Sequence, residues 1–319
     1  MLDVLLSIAA FTVAYANGAN ANFKGVASLF GSGTTSYSTA VRWATITTAA
    51  GCLTAMLGSG AMLQAFSGKG LVPDALAAQP VFLFSVAAGA GAANLLATWL
   101  GFPVSTTHIL IGGLLGVGLA AEPSGVNYAK LWDTFARPLL FSPVIALIVG
   151  GVSYVLLRSL HLAPDHRVPK LDALHFISAG AVCFARGLND TPKMAALLIG
   201  AGGFAVKPSM LLITAFIAIG GLVSARRVAE TLAHKITGMN PGQGFAANLA
   251  TSMLTTTASI HGLPVSTTHV SVGALLGIGI FSRRAKWKTV VPVLLAWVVT
   301  LPCAALLGAI FFKLAKSIC

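Results

Sequence analysis

The chain has 319 residues, of which 56% are apolar and only 9% charged, and its mean hydropathy is +0.86. That balance excludes a soluble enzyme or binding domain and places nearly the whole chain in a lipid bilayer as an all-helical, polytopic protein. The net charge of +12 then reads as topology, because cytoplasmic loops collect Lys and Arg, and no nucleic-acid partner is expected.

From Leu2 an apolar helix runs toward Asn17-Gly-Ala-Asn20-Ala-Asn22-Phe-Lys24-Gly25. Three Asn, two Gly and a Lys lie poorly against lipid, so a helix broken inside the membrane is predicted there. Asp3 and the absence of a basic stretch before the apolar run argue against a cleaved signal peptide. The apolar run resumes after Arg42, continues to about Phe66 and ends in a loop with Lys69, Pro73 and Asp74. Residues 75–121 carry no charge, and as one helix they would reach roughly 70 Å, twice a hydrocarbon core of about 30 Å. The stretch must turn back, and Pro103 marks the turn because proline removes a backbone donor and disfavours helix just before it. After Glu122, Lys130 and Asp133, an uncharged segment from Pro138 to Leu157 closes a first repeat, residues 1–157.

A linker, residues 158–172, holds Arg158, His161, Pro164, His166, Pro169 and Asp172, and is expected in the cytoplasm. The second repeat, residues 173–319, opens with an apolar approach to Phe184-Ala-Arg186-Gly-Leu-Asn189-Asp190-Thr-Pro192-Lys193, read as the counterpart of the first break. An apolar run from Ser209 to Ala225 and a basic loop with Arg226, Arg227 and Lys235 follow. Residues 236–282 are again uncharged, with Pro264 at the turn; Arg283, Arg284, Lys286 and Lys288 precede a closing span to Phe312.

The octapeptides Gly101–His108 and Gly262–His269 differ only at Phe102 and Leu263, which marks an internal duplication. Loops flanking the first hairpin balance in charge while those flanking the second are basic. The two copies are therefore predicted to be inverted, with an odd number of crossings per half and both termini outside. Lys313 and Lys316 weigh against that placement of the C-terminus.

Broken helices in duplicated halves are how many secondary transporters build a site near the bilayer midplane. A helix starting at Val-Ser-Thr-Thr presents unpaired N–H groups and the positive end of its dipole, and Ser105, Thr106, Thr107, Ser266, Thr267 and Thr268 add hydroxyls. Two such ends facing each other would wrap a tetrahedral oxyanion. The same hydroxyls also suit helix capping, but the duplication favours a site. Lys24 and Lys193 stand at matching places. A lysine at the bilayer centre costs about 3 kcal/mol, so each either meets an anion, a carboxylate or water, or snorkels to a surface as a gate. Asp190 stands where the first copy has Ala21, and either binds a coupling cation, accepts a proton, or pairs with Lys193 or Arg186. His108 and His269 are read as hydrogen-bonded structural residues or proton relays, and Asn94 and Asn248 as ties between helices. Ser266, His269 and Asp190 make a poor hydrolase triad, because the Ser and His lie three apart on one helix without a nucleophile elbow. Cys52, Cys183, Cys303 and Cys319 lack metal-ligand spacing and are expected to be free thiols.

At the phrases Pro103–His108 and Pro264–His269, and at Gly18-Ala-Asn20-Ala21 and Gly187-Leu-Asn189-Asp190, the chain resembles the inorganic phosphate transporter (PiT) family, over nearly its whole length. The resemblance implies two inverted repeats with broken helices and re-entrant hairpins, forming a homodimer in the cell inner (plasma) membrane. It implies import of phosphate with Na+ or H+, and no cofactor beyond bound Na+. Carried over, the two Ser-Thr-Thr runs line the anion site with Asn20, Asn189, Lys24 and Lys193, while Asp190, Asn20, Asn189, Thr107 and Thr268 serve the coupling cation. The chain departs from the family pattern in lacking the first aspartate and in placing a lysine after each phrase. Coupling by fewer sodium ions, or by protons, is the expectation that follows. A sulfate permease remains an alternative because two lysines neutralise a dianion, and an uncoupled anion channel would share the basic broken helices.

Overall fold

The computed structural model describes residues 2–160, 169–200, 205–235, 240–283, 285 and 287–318. Among them regular structure is helical throughout. The first repeat contains α1 (Leu2–Ala21), α2 (Ala27–Gly31), α3 (Tyr37–Ala55), α4 (Gly60–Phe66), α5 (Asp74–Ala77), α6 (Pro80–Trp99), α7 (Thr106–Ala121), α8 (Tyr128–Leu131) and α9 (Arg137–Ser159). The second contains α10 (Pro169–Gly200), α11 (Val206–Ser224), α12 (Arg226–Glu230), α13 (Pro241–Ile260), α14 (Thr267–Phe281) and α15 (Trp287–Ile318). Six spans are long and apolar enough to cross a bilayer: α1, α6, the joined α8–α9, α10, α11 and most of α15. The α3–α4 pair, bent by 94°, is a seventh candidate.

The octapeptide is a stop-and-start signal for helices. In the first copy, Phe102 N–H bonds Ala97 O at 2.9 Å and Gly101 N–H bonds Thr98 O at 3.0 Å, with Gly101 at φ +76°. In the second, Leu263 N–H bonds Ala258 O at 2.8 Å and Gly262 N–H bonds Ser259 O at 3.1 Å, with Gly262 at φ +66°. Each is a Schellman ending that needs a left-handed residue, and the proline two positions later blocks continuation. The next helix starts where Ser105 Oγ accepts from His108 N–H and Ser266 Oγ from His269 N–H, both at 3.2 Å. The capping reading is thus met by the first hydroxyl of each run. Ser105→Ala and Ser266→Ala are each expected to cost about 1 kcal/mol of stability, read as a fall of about 2 °C in Tm in detergent.

The predicted break after α1 is present: residues 22–26 form a chain of turns before α2. The predicted break at Phe184–Lys193 is absent. α10 runs unbroken through Pro192, because its polar side chains are buried among partners from both repeats and Thr191 Oγ1 donates to Gly187 O at 2.9 Å. Polarity in that phrase signals burial inside protein. Two smaller corrections concern the flanks. The run ending at Phe66 bends between α3 and α4, and the expected basic loop after Ala225 is helical, as α12 followed by a wide helical turn over Thr231–Lys235. The predicted linker 158–172 is shorter than expected from sequence: its first two residues end α9 and residues 169–172 open α10, while 161–168 lie outside the described residues, as do part of the basic loop after Ser282 and Cys319. Cys52, Cys183 and Cys303 are free thiols.

Helices from the two repeats are interleaved. α1 packs on α11 and α3 on α10, while α7 packs on α15 and α14 on α9. Exchanging one repeat for the other maps each pairing onto another, as it does α1–α6 onto α10–α13. The same exchange governs the closest crossings. A Cβ at Gly220 would lie 2.0 Å from Tyr15 O and one at Gly51 2.0 Å from Phe184 O; Gly18 and Gly187 lie as tightly on Ile217 O and Thr48 O. Small residues let these backbones meet in lipid.

Candidate functional site

The two hairpins meet at their tips, and each buried lysine crosses between them. Lys24 Nζ donates to Val104 O and to Thr268 Oγ1, both at 2.6 Å. Lys193 Nζ donates to Thr107 Oγ1 at 2.7 Å and to Val265 O at 2.9 Å. Val104 and Thr107 belong to the first hairpin and Val265 and Thr268 to the second, so each ammonium group takes a carbonyl from one tip and a hydroxyl from the other. The hydroxyls complete the crossing, Thr107 Oγ1 donating to Val265 O at 3.2 Å and Thr268 Oγ1 to Val104 O at 3.1 Å. Exchange of repeats leaves this arrangement unchanged. Both lysines are buried, which rules out snorkelling to a surface in this arrangement.

Lys193 has a fuller shell than Lys24. Asn189 Oδ1 accepts from it within the helix, Asp190 Oδ1 lies 3.3 Å away, and the Phe66 ring lies 5.7 Å from Nζ. Asp190 is held from three sides: by Lys193, by Arg186 Nη1 at 4.0 Å and by Asn17 Nδ2 at 3.1 Å. Pairing with both cations, offered above as one of its roles, is therefore what the geometry provides. Arg186 also donates to Asn17 Oδ1 at 2.8 Å and to Asn22 Oδ1 at 3.2 Å, which ties α10 to the end of α1.

Asn20 serves the first hairpin. Its Nδ2 donates to Phe102 O at 2.9 Å and its Oδ1 accepts from Val104 N–H at 3.0 Å, bridging the backbone on either side of Pro103. Unwound backbone at membrane depth needs such partners. Asn189 Nδ2 reaches Ser259 Oγ at 2.9 Å, matching Asn20 Nδ2 to Thr98 Oγ1 at 3.0 Å. Thr106 Oγ1 accepts from Asn17 Nδ2 at 2.9 Å and from Asn94 Nδ2 at 3.4 Å, which leaves its own proton free to donate. Helix geometry leaves the amides of Thr106, Thr107, Thr267 and Thr268 without intrahelical acceptors. All ten predicted substrate-lining residues are buried, and together they offer an anion amides, hydroxyls and ammonium groups. Beside Lys24, a cavity of about 20 Å³, lined also by Ser28, Asn248, Thr268 and Ser271, has room for about one water.

His108 and His269 meet, with ring centroids 4.4 Å apart, and His269 stacks on Trp297 at 3.7 Å. His269 Nδ1 lies 3.4 Å from Leu139 O, whereas His108 Nδ1 and His269 Nε2 have no hydrogen-bond partner among the described residues. Ser266 Oγ faces the backbone N–H of His269, so no hydrolase triad forms. Asn94 ties α6 to α7, and Asn248 Nδ2 reaches Ser28 Oγ at 3.3 Å, as expected of ties between helices. Asn17 and the carbonyls of Val104 and Val265 were not singled out from sequence. Asn17 lay in the polar phrase and its spacing to Asn20 and Asn22 was the available signal; backbone carbonyls leave none.

A family model described as the phosphate transporter family matches the chain twice, over residues 17–171 and 164–308. A probable low-affinity inorganic phosphate transporter of Rhizobium meliloti (strain 1021) is 34% identical over 262 residues, 77% of this chain and 77% of that protein. One of Bacillus subtilis (strain 168) is 28% identical over 252 residues, 70% and 72% of the two chains. A solved structure described as the sodium-dependent phosphate transporter has the same fold, with a TM-score of 0.86 over 100% of both chains at 22% identity.

Proposed function

The chain belongs to the phosphate transporter family, and from that premise we propose that it imports inorganic phosphate across the cell inner (plasma) membrane as a cation-coupled symporter. It is a transporter and not an enzyme, as its relatives are. The observation that carries the substrate reading is the meeting of two helix N-termini with two lysines at the hairpin tips. Amide dipoles and ammonium groups converge there, which is the chemistry of a phosphate site. The names of the relatives above support phosphate over sulfate, and the sodium dependence named for the structural relative supports a cation gradient, Na+ or H+, as the driving force.

Repeats 1–157 and 173–319, joined by a cytoplasmic linker 158–172, run antiparallel in this reading. The tip-to-tip meeting of the hairpins supports it, as does the exchange pattern of helix contacts. The homodimer implied by the family completes the proposal, and light scattering of the purified protein in detergent checks it.

Labelled phosphate uptake into proteoliposomes, challenged with sulfate, arsenate and molybdate, tests the substrate. Arsenate, nearest in shape and charge, is expected to compete and sulfate to leave uptake within about twofold. Transport of sulfate without phosphate would overturn the reading. Thr107→Val and Thr268→Val keep side-chain volume but remove the crossed hydroxyl contacts, each worth about 1.5–3 kcal/mol where a charged partner is involved. Each is expected to lower uptake by about 10- to 100-fold while the protein still elutes as a folded species.

A further inference from the structure

The shells around the two ammonium groups consist of oxygen. Lys193 Nζ is held by the Thr107 hydroxyl, the Val265 carbonyl, the Asn189 amide oxygen and the Asp190 carboxylate. Lys24 Nζ is held by the Val104 carbonyl and the Thr268 hydroxyl. Carbonyls of unwound backbone, hydroxyls and a carboxylate are the ligands that an alkali cation takes in a membrane transporter, and hard cations prefer such oxygens. Here the positive charge at each place is supplied by the chain. The four Lys, Arg and Asp side chains buried together at the site, Lys24, Arg186, Lys193 and Asp190, carry a formal charge of +2, which matches a phosphate dianion without a further cation.

We propose that the ammonium groups of Lys24 and Lys193 are tethered cations that fill two alkali-ion positions at the hairpin tips, so that the anion is bound and carried without sodium. This rests on the reading of the site as a phosphate carrier, and it leaves the proton gradient as the driving force. Equal +1 charge makes the substitution balanced: an ammonium group offers three donors to the oxygens that would otherwise ligate the ion. Removing a lysine should therefore uncover an oxygen cage with an appetite for Na+.

Two measurements on the full-length protein test this. Uptake of labelled phosphate by wild-type proteoliposomes with an inward proton gradient is expected to change by less than about twofold when Na+ is replaced by N-methylglucamine. The second measurement needs no substrate. The Tm of the purified protein is compared in NaCl and in choline chloride of equal ionic strength, a ligand that binds only the folded state raising it. Wild type is expected to show no Na+-specific rise, whereas Lys193→Ala gains one of several degrees; Lys24→Ala, whose side chain makes fewer contacts, is the second variant should the first fail to fold. A tenfold or larger loss of wild-type uptake without Na+, a Na+-specific rise in wild type, or no such rise in either folded variant would overturn the proposal. Absence of wild-type phosphate uptake in every ionic condition would instead strike the phosphate reading, leaving the melting comparison to decide about the lysines.

Discussion

Asp190→Asn is expected to abolish transport, lowering uptake by at least about 100-fold, and to cost about 3–5 kcal/mol of stability, the range for breaking a buried ion pair by removing one partner. The carboxylate lies between Lys193 and Arg186 and also accepts from Asn17, so the amide leaves two buried cations without their counter-charge. Lys193 would then lose the charge that holds it against Thr107 and Val265, and the crossing of the hairpin tips would loosen. A double variant separates stability from function. Adding Arg186→Gln to Asp190→Asn removes one orphaned charge and should recover part of the Tm, because neighbours in one network are not additive. Uptake should remain lost, since the Lys193 shell is still incomplete. Full transport by the folded single variant would remove Asp190 from the mechanism.

Gly220→Ala is the second change with a large effect. The new methyl would lie 2.0 Å from Tyr15 O, a distance that no rotamer relieves because the neighbour is backbone. α1 and α11 must move apart, and overpacking of this kind costs about 1–3 kcal/mol. α1 carries Asn17 and Asn20, which bind Asp190, Thr106 and the backbone around Pro103, so the displacement reaches the site. Uptake is expected to fall by more than about tenfold and Tm by several degrees. Gly51→Ala, at the equivalent crossing of α3 with α10, should behave alike. Gly58→Ala is the control: nothing lies within 4 Å of its added Cβ, and both readings should match wild type. Normal uptake by Gly220→Ala would show that α1 can shift without disturbing the hairpin tips.

The hairpin turns were legible in the chain because they are local events. Gly101 and Gly262 supply the left-handed residue, Pro103 and Pro264 forbid continuation, and Ser105 and Ser266 restart the helix, all within a few residues. The break after α1 was legible for the same reason, as was membrane residence from the scarcity of charge. Duplication of the octapeptide also announced two equivalent halves, and the family model matches each of them.

The phrase around Asp190 shows where local reading stops. Arg186, Asn189, Asp190, Pro192 and Lys193 look like a helix break when judged against lipid, yet α10 passes straight through. A polar residue breaks a membrane helix only if protein cannot satisfy it, and its partners here come from α1 and from both hairpin tips, far away in sequence. Composition and the repeated octapeptide thus determined by themselves that the chain is a membrane protein with two paired helix stops. Tertiary structure alone decided that each lysine reaches across to the opposite hairpin and that the two histidines touch, because such contacts depend on how the interleaved repeats close around one another, and no spacing along the chain records that distance.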